Sequence, residues 1–539
     1  MLGNFLTIGL RPALAALLRR AALACALLGA TAAQALTPAQ ALAMAQGDSE
    51  ARIAAIQSAL QQADATLAPY LRAMADDAVV LADGRALIVR NGQASDPVTG
   101  TPVALPDGVE DAMNNNRLRG EIAAALAALD LFAPETALRR EAAQAMLKQP
   151  SPERLSLIDK ALAEEKDAAV RQALELARAA ALLGSDDAAL RKKAAWSLGE
   201  SGAPEARLLL QTRLAEEGDA AVQAQLRRSL AQVDDRLAWG ERLGVVFTGI
   251  SLGSILLLVA LGLAITYGLM GVINMAHGEL MMIGAYATYM VQNLFQSYFP
   301  AAFDWYLLAA VPLSFLAAAA VGALMERTVL RFLYGRPLET LLATWGISLV
   351  LMQSVRSLFG AQNVGVENPV WMSGGWQLLP NLTLPLNRLV IIVFAAAVLL
   401  AMAWTIGRTR LGLFVRGVTQ NRAMAACMGV NTARVDTLAF ALGSGVAGLA
   451  GCALSQVGNV GPDLGQSYIV DAFMVVVLGG VGQLLGTVYA ALGLGILGKL
   501  LEGWTGAVLA KIAVLVFIIV FIQKRPQGIF AMKGRSAEA

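Results

Sequence analysis

From Val245 to Leu269 the chain carries no charged residue. A helix of that length and composition crosses the roughly 30 Å of a bilayer's hydrocarbon core, where backbone groups have no water to bond. Further apolar runs follow at Leu280 to Leu294, Tyr306 to Met325, Leu341 to Leu358, Leu389 to Ile406, Val435 to Gln456, Tyr468 to Val481, Gly486 to Leu501 and Ala507 to Ile522. The expected fold is all-α, with a polytopic helical membrane domain of about nine spans over 244–530, some of them short or broken. With 57% hydrophobic and 15% charged residues in 539, the chain is too apolar for an ordinary soluble protein. That average hides a second population, because residues up to about Asp235 are rich in Arg, Glu, Asp and Ala. A net charge of +2 argues against a nucleic-acid partner.

The N-terminus reads as a signal peptide over 1–35. Arg11, Arg19 and Arg20 precede the apolar run Ala21 to Ala30, and Ala33-Gln34-Ala35 offers a small-x-small cleavage site. Such a signal places 36–235 outside the cytoplasm, in the periplasm of a bacterial cell. This segment has no cysteine and is stable without disulfides. Ala78 to Leu81 and Ala86 to Arg90 alternate as two strands of a small β-hairpin around Asp83-Gly84, and Gly92 to Gly108 reads as a loop. Between Pro134 and Val233 the segments ETALRREAAQAML, DAAVRQALELARAAALL, DAALRKKAAWSLGE and DAAVQAQLRRSLAQ share an acidic start and a closing Leu. Their spacing varies between roughly twenty and roughly thirty residues, which suits a degenerate HEAT-like helical array; a compact helical bundle fits the same pattern. The domain offers no metal cluster, nucleophile–base pair or phosphate loop, so neither enzyme activity nor a cofactor or metal is expected.

Charge orients the membrane domain. Alternate loops hold Arg327, Arg331 and Arg336, then Arg408, Arg410, Arg416, Arg422 and Arg434, then Lys524, Arg525, Lys533 and Arg535. The intervening loops, Gln296 to Trp305 and Gly360 to Pro385, carry no Lys or Arg. The positive-inside bias therefore expects a multi-pass inner-membrane protein with a cytoplasmic tail at 531–539.

Three features interrupt the apolar pattern. Asn274, His277 and Glu279 lie between the first two runs, and His277 is the chain's only histidine. An ionisable group at membrane depth costs about 2.5–3.5 kcal/mol on insertion scales, so these residues are candidates for a solute path; an interfacial turn is the alternative. Gly443, Ala447 and Gly451 recur every fourth residue and mark a face where another helix approaches closely. Gly479, Gly480 and Gly482 cluster between two short runs and suggest a helix break on the same path. GSGVAG and GLGILG imitate nucleotide-binding loops, but neither follows a strand, and Leu500 stands where a phosphate loop needs Ser or Thr. In the loop Gly407 to Arg434, Thr419 to Met428 reads as a short helix, with Gly429 as its left-handed cap and Asn431-Thr432 capping the next span.

GVINMAHGELMMIGAY, TRLGLFVRGVTQNRAMAACMGVNTARV, and VVVLGGVGQLLGT followed by RPQGIF resemble, in order, the motifs of branched-chain amino acid type ABC transporter permeases. The resemblance implies two permease subunits in the membrane lipid, two cytoplasmic ATPase subunits and a periplasmic solute-binding protein. It places the ATPase-coupling loop at Arg416, Asn421, Arg422, Met424 and Gly429. The long N-terminal domain with NNNRLRGEIAAAL resembles the urea-type branch, so urea or a similar small amide is the expected solute. A branched-chain amino acid permease, a passive solute channel and a membrane-anchored scaffold are the alternatives.

Overall fold

The computed structural model describes residues 36–61, 66–90, 92–105, 108–148 and 150–530. The signal peptide expected over 1–35 and the tail expected over 531–539 lie outside them. The chain divides into two compact units, Met1–Arg236 and Leu237–Ala539, and each is described by itself.

The N-terminal unit begins with helices α1 (Pro38–Ala45), α2 (Ser49–Gln61) and α3 (Leu67–Ala75), whose Met44, Ile56, Tyr70 and Leu71 are buried in one core. Strands β1 (Val79–Ala82) and β2 (Arg85–Arg90) pair antiparallel, with Ala82 opposite Arg85. Asp83 and Gly84 both take positive φ, 49° and 69°, the geometry that lets a two-residue turn follow the strand twist. The sheet is larger than a hairpin. β3 (Gln93–Ser95), β4 (Pro102–Val103) and β5 (Glu110–Asp111) extend it to five strands in the order β4-β3-β2-β1-β5, so two short stretches of the expected loop Gly92 to Gly108 are paired.

Helices α4 (Asn116–Asp130), α5 (Thr136–Lys148), α6 (Leu155–Glu164), α7 (Ala168–Leu182), α8 (Ala188–Ser201) and α9 (Pro204–Glu216) follow, and then the start of α10 (Ala220–Met270). A side-chain device recurs among them at regular spacing. Arg139 donates to both oxygens of Glu165 (2.7 and 3.1 Å), Glu165 accepts from the Asp167 amide, and the Asp167 side chain caps α7. Arg191, Glu217 and Asp219 repeat the same bonds 52 positions later, with Asp219 accepting from Ala221 and Val222 at the start of α10. Two of the irregularly spaced helix starts therefore share one bonding pattern.

The C-terminal unit contains the rest of α10, then α11 (His277–Tyr298), α12 (Tyr306–Thr328), α13 (Pro337–Phe359), the hairpin β6 (Gly375–Leu379) with β7 (Leu382–Pro385), and α14 (Leu386–Arg408). Short α15 (Arg410–Gln420) and α16 (Arg422–Cys427) precede α17 (Thr432–Ser455), α18 (Leu464–Gly479), α19 (Leu484–Thr505) and α20 (Ala507–Lys524). A helix covers each of the nine expected spans, but seven among the described residues are long and apolar enough to cross a membrane. The sixteen residues of α18 are too few to cross, and α11 carries Glu279, Gln292, Asn293 and Gln296, which lower its hydropathy.

Helix α17 is the most buried of the seven. Glycines let its backbone meet its neighbours directly: a β-carbon on Gly443 would lie 2.7 Å from Gly262 O, and on Gly451 it would overlap Met281 O. Ala447 between them is fully buried. The expected close-packing face is thus a contact of α17 with α10 and α11.

Two outcomes follow from these contacts. The Arg139 and Arg191 guanidinium groups bonded to Glu165 and Glu217 hold those carboxyls down to about 2, from an ordinary 4.5. Each carboxylate thus adds stability that is complete above the ordinary carboxylate range and is lost as pH falls through about 4.5 toward 2. Glu165→Gln is expected to lower stability by about 1.5–3 kcal/mol at pH 7 and to flatten the acid limb of a melting-temperature profile. In the other unit, Gly451→Ala is expected to cost about 1–3 kcal/mol in a detergent thermal-shift assay. Gly493→Ala, where a β-carbon meets nothing within 4 Å, is expected to stay within about 0.5 kcal/mol of the parent.

Candidate functional site

Helix α10 ends at Met270, and the chain runs without regular structure until α11 begins at His277. Gly271, at φ +65°, makes the left-handed turn that leaves the helix. Side chains then bond the freed backbone. The Met275 amide donates to Thr344 Oγ1 (3.2 Å), and the Ala276 amide donates to Asn274 Oδ1 (3.0 Å). Such substitution is what permits non-helical backbone among spans.

Asn274, His277 and Glu279 are each at most 1% exposed, and each keeps one polar atom without a partner. For Asn274 that atom is Nδ2, because the Ala276 amide fixes which end of the side chain accepts. His277 Nε2 lies 3.0 Å from Val259 O. A carbonyl only accepts, so Nε2 carries the proton and Nδ1 is a bare acceptor with no partner. Glu279 Oε1 accepts from Ser348 Oγ (3.0 Å), and Oε2 is unpartnered. The three residues do not converge on one side. His277 packs on Gly262 of α10, whereas Glu279 turns to Ser348 of α13.

The second expected break is also covered by protein. Gly480 and Gly482 take positive φ, 98° and 77°, just after α18 ends at Gly479. Gly479 abuts Gly486, Gly482 abuts Gly268, and Gly480 abuts Phe530 O. The terminal motif returns to seal this turn, its Ile529 amide donating to Leu478 O (2.8 Å). Through Gly268 and Gly482 the two breaks adjoin, which nothing in the sequence indicated.

The loop Gly407 to Arg434 forms two short helices rather than the single one expected over Thr419 to Met428. Asn421 leaves helical geometry at φ −151° and its side chain accepts from the Met424 amide, so it ends α15 and caps α16. Gly429 follows at φ +84°, and Asn431 Oδ1 accepts from the Arg434 amide at the start of α17. Arg416 Nη1 donates to Ile406 O (2.8 Å), tying α15 back to the end of α14. Met424 and Met428 point outward, 60% and 77% exposed. Beneath them Arg422 pairs with the buried Asp436 of α17 and lies 5.1 Å from the Tyr334 ring. Tyr334 Oη and Thr437 Oγ1 both donate to the buried Glu326 of α12 (2.8 and 2.6 Å). A polar chain therefore links the loop to two spans.

Sequence reasoning missed Ser348, Thr344, Glu326, Asp436 and the pair Lys511–Asp471 (3.5 Å), which with Glu502 lines a cavity of about 110 Å³. Single polar residues in apolar runs were the available signal. Arg422→Ala, which leaves Asp436 buried without its cation, is expected to cost about 2 kcal/mol in detergent thermal shift. Arg422→Ala/Asp436→Asn is expected to recover more than half of that, and a double variant no better than the single would contradict the pairing.

The family model described as branched-chain amino acid transport system / permease component matches residues 245–523. The high-affinity branched-chain amino acid transport system permease protein LivH of Escherichia coli (strain K12) is 30% identical over 293 residues, covering 53% of this chain and 94% of its own. The corresponding protein BraD of Pseudomonas aeruginosa is 28% identical over 287 residues, with 52% and 93% covered. The ribose import permease protein RbsC of E. coli (strain K12) is 30% identical over 141 residues, 25% of this chain and 37% of its own. No solved structure matches the chain. With more than half its length matched, over a unit of packed apolar helices with two capped breaks, the chain belongs to the family of branched-chain amino acid type ABC transporter permeases.

Proposed function

We propose that this chain is the membrane-spanning subunit of an ATP-driven importer for urea or a similar small amide. The observation carrying this reading is the N-terminal unit: the family match begins at residue 245, and LivH and BraD are covered over 94% and 93% of their own lengths by about half of this chain. The added helical unit sets the chain apart from those amino acid permeases and resembles the urea-type branch. The first break argues against an anionic solute, because its unpartnered atoms belong to Asn274, His277 and Glu279 and not to Lys or Arg.

In this reading the signal peptide directs 36–235 to the periplasm, where a HEAT-like array meets protein partners, and the C-terminus is cytoplasmic. A second permease subunit completes the pathway, a periplasmic binding protein delivers the solute, and two cytoplasmic ATPase subunits dock on Arg416 to Gly429. ATP binding and hydrolysis by those subunits alternate the side of access, and this chain supplies the path and the coupling surface. The solute class named for LivH and BraD favours a second reading, a branched-chain amino acid as solute.

Vesicles carrying this chain with its partner subunits decide between them. Labelled urea is expected to accumulate with ATP and labelled leucine is not; leucine accumulating alone would support the second reading, and uptake without ATP would support a passive channel. Gly429→Trp places a bulky side chain in open space at a left-handed residue of the docking loop. It is expected to preserve insertion while lowering urea transported per ATP hydrolysed at least tenfold, and an unchanged ratio would remove Gly429 from the coupling surface.

A further inference from the structure

The N-terminal unit repeats itself at a period of 52 residues, down to individual atoms. ALAEEKDAAV at 161–170 returns as RLAEEGDAAV at 213–222, identical at eight of ten positions. Arg139 Nη1 donates to the carbonyls of Ala133 and Pro134 (3.0 and 2.9 Å), and Arg191 Nη1 donates in the same way to those of Ser185 and Asp186 (3.0 and 2.8 Å). The two copies share one frame, and they differ beside its central carboxylate.

In the second copy a further arginine completes that carboxylate. Arg213 Nε and Nη2 of α9 both donate to Glu217 Oε2 (3.2 and 3.1 Å), beside Arg191 Nε on the same oxygen (2.8 Å). The matching position in α6 of the first copy is Ala161, whose side chain stops at its β-carbon. Glu165 Oε2 accordingly accepts from Arg139 Nε alone among the described residues (2.7 Å). In place of the second arginine the first copy has a cavity of about 230 Å³, lined by Phe132, Arg139, Ala161, Glu164, Glu165 and Lys166.

The cavity has the chemistry of a guanidinium site. Its carboxylate oxygen has capacity for a further donor, and the second copy shows that one carboxylate in this frame holds two guanidinium groups. A guanidinium brings its donors in a flat, rigid fork, stacks on aromatic faces and is more weakly hydrated than an ammonium. Phe132, which stands where the second copy has Gly184, supplies such a face. Lys160 Nζ already lies 5.6 Å from its ring centroid, so the ring is placed to attract a cation. At the rim the exposed Glu164 and Lys166 balance one another in charge. We propose that the first copy is an open socket for an arginine side chain of another protein, which takes at Glu165 the place that Arg213 takes at Glu217. The inference concerns the N-terminal unit alone and is independent of the solute that the membrane unit passes.

The test uses the full chain in detergent and two short peptides, each blocked at both ends and carrying a photoreactive diazirine, one built around arginine and the other around lysine. Labelled residues are read by mass spectrometry. The arginine peptide is expected to label 131–133 and 161–166 at least fivefold more than the lysine peptide does. Ala161→Arg supplies the missing side chain from within, and with a melting temperature at or above the parent's it is expected to lose at least nine-tenths of that label. Arg213→Ala opens the counterpart and is expected to add label over 213–218, which keeps the test decisive if Ala161→Arg does not fold. Agmatine at the peptide's own concentration is expected to leave most of the label; complete loss would make a free guanidino compound the ligand and overturn the docking of a protein side chain. Equal labelling by the two peptides, undiminished label in folded Ala161→Arg, or no added label in Arg213→Ala would each overturn the socket.

Discussion

Backbone-to-backbone approach at glycine is the contact on which the membrane unit depends. Lipid tails are as apolar as leucine, so spans gain little by burying apolar area against one another and associate through close packing and polar bonds. Gly443 of α17 rests on Gly262 of α10, Gly448 on Ser314 O of α12, and Gly284 of α11 on Gly448 in return. With α17 as the common member, α10, α11 and α12 become one block. The short α18 joins it through Gly465 against Gly278, directly after His277. The polar segment is therefore fixed by its neighbours and not by a bilayer surface.

Against that block α13 is the contrasting element. It meets α11 through the hydroxyl of Ser348 and the ring of Phe359, and its Leu338, Leu342 and Val350 are more than 60% exposed. The packed block bearing the polar break thus lies beside a helix whose Ser348 bonds Glu279. At the other end of the same core, Asp436 of α17 holds Arg422 of α16, and Glu326 of α12 holds Tyr334. These bonded side chains tie α16 to the core.

Much of this was readable from residues. Spans appear as uncharged runs, and the hairpin turn at Asp83-Gly84 follows from residue types that tolerate positive φ. Strands β3 to β5 were hidden because two or three residues cannot display alternation. The helix expected over Thr419 to Met428 failed at Asn421, whose side chain caps a new helix instead of continuing the old one. His277 and Glu279 stand two apart at the start of α11, and residues two apart on a helix do not share a face. That opposition awaited only the helix start. The stripe Thr340, Thr344 and Ser348 was visible as spacing, but what it faces comes from the fold. No local pattern ties Ile529 to Leu478 or Gly268 to Gly482, since those contacts close over long stretches of chain.

The account rests on backbone-to-backbone contact at glycine as the constraint that holds the membrane unit together. Gly284 of α11 tests it directly, because a β-carbon there would overlap Gly448 O of α17, whereas one on Gly346 of α13 meets nothing within 4 Å. Melting temperature in detergent is measured for Gly284→Leu and Gly346→Leu beside the parent. The account predicts a large loss for Gly284→Leu and a melting temperature near the parent's for Gly346→Leu. Parental stability in Gly284→Leu would contradict it.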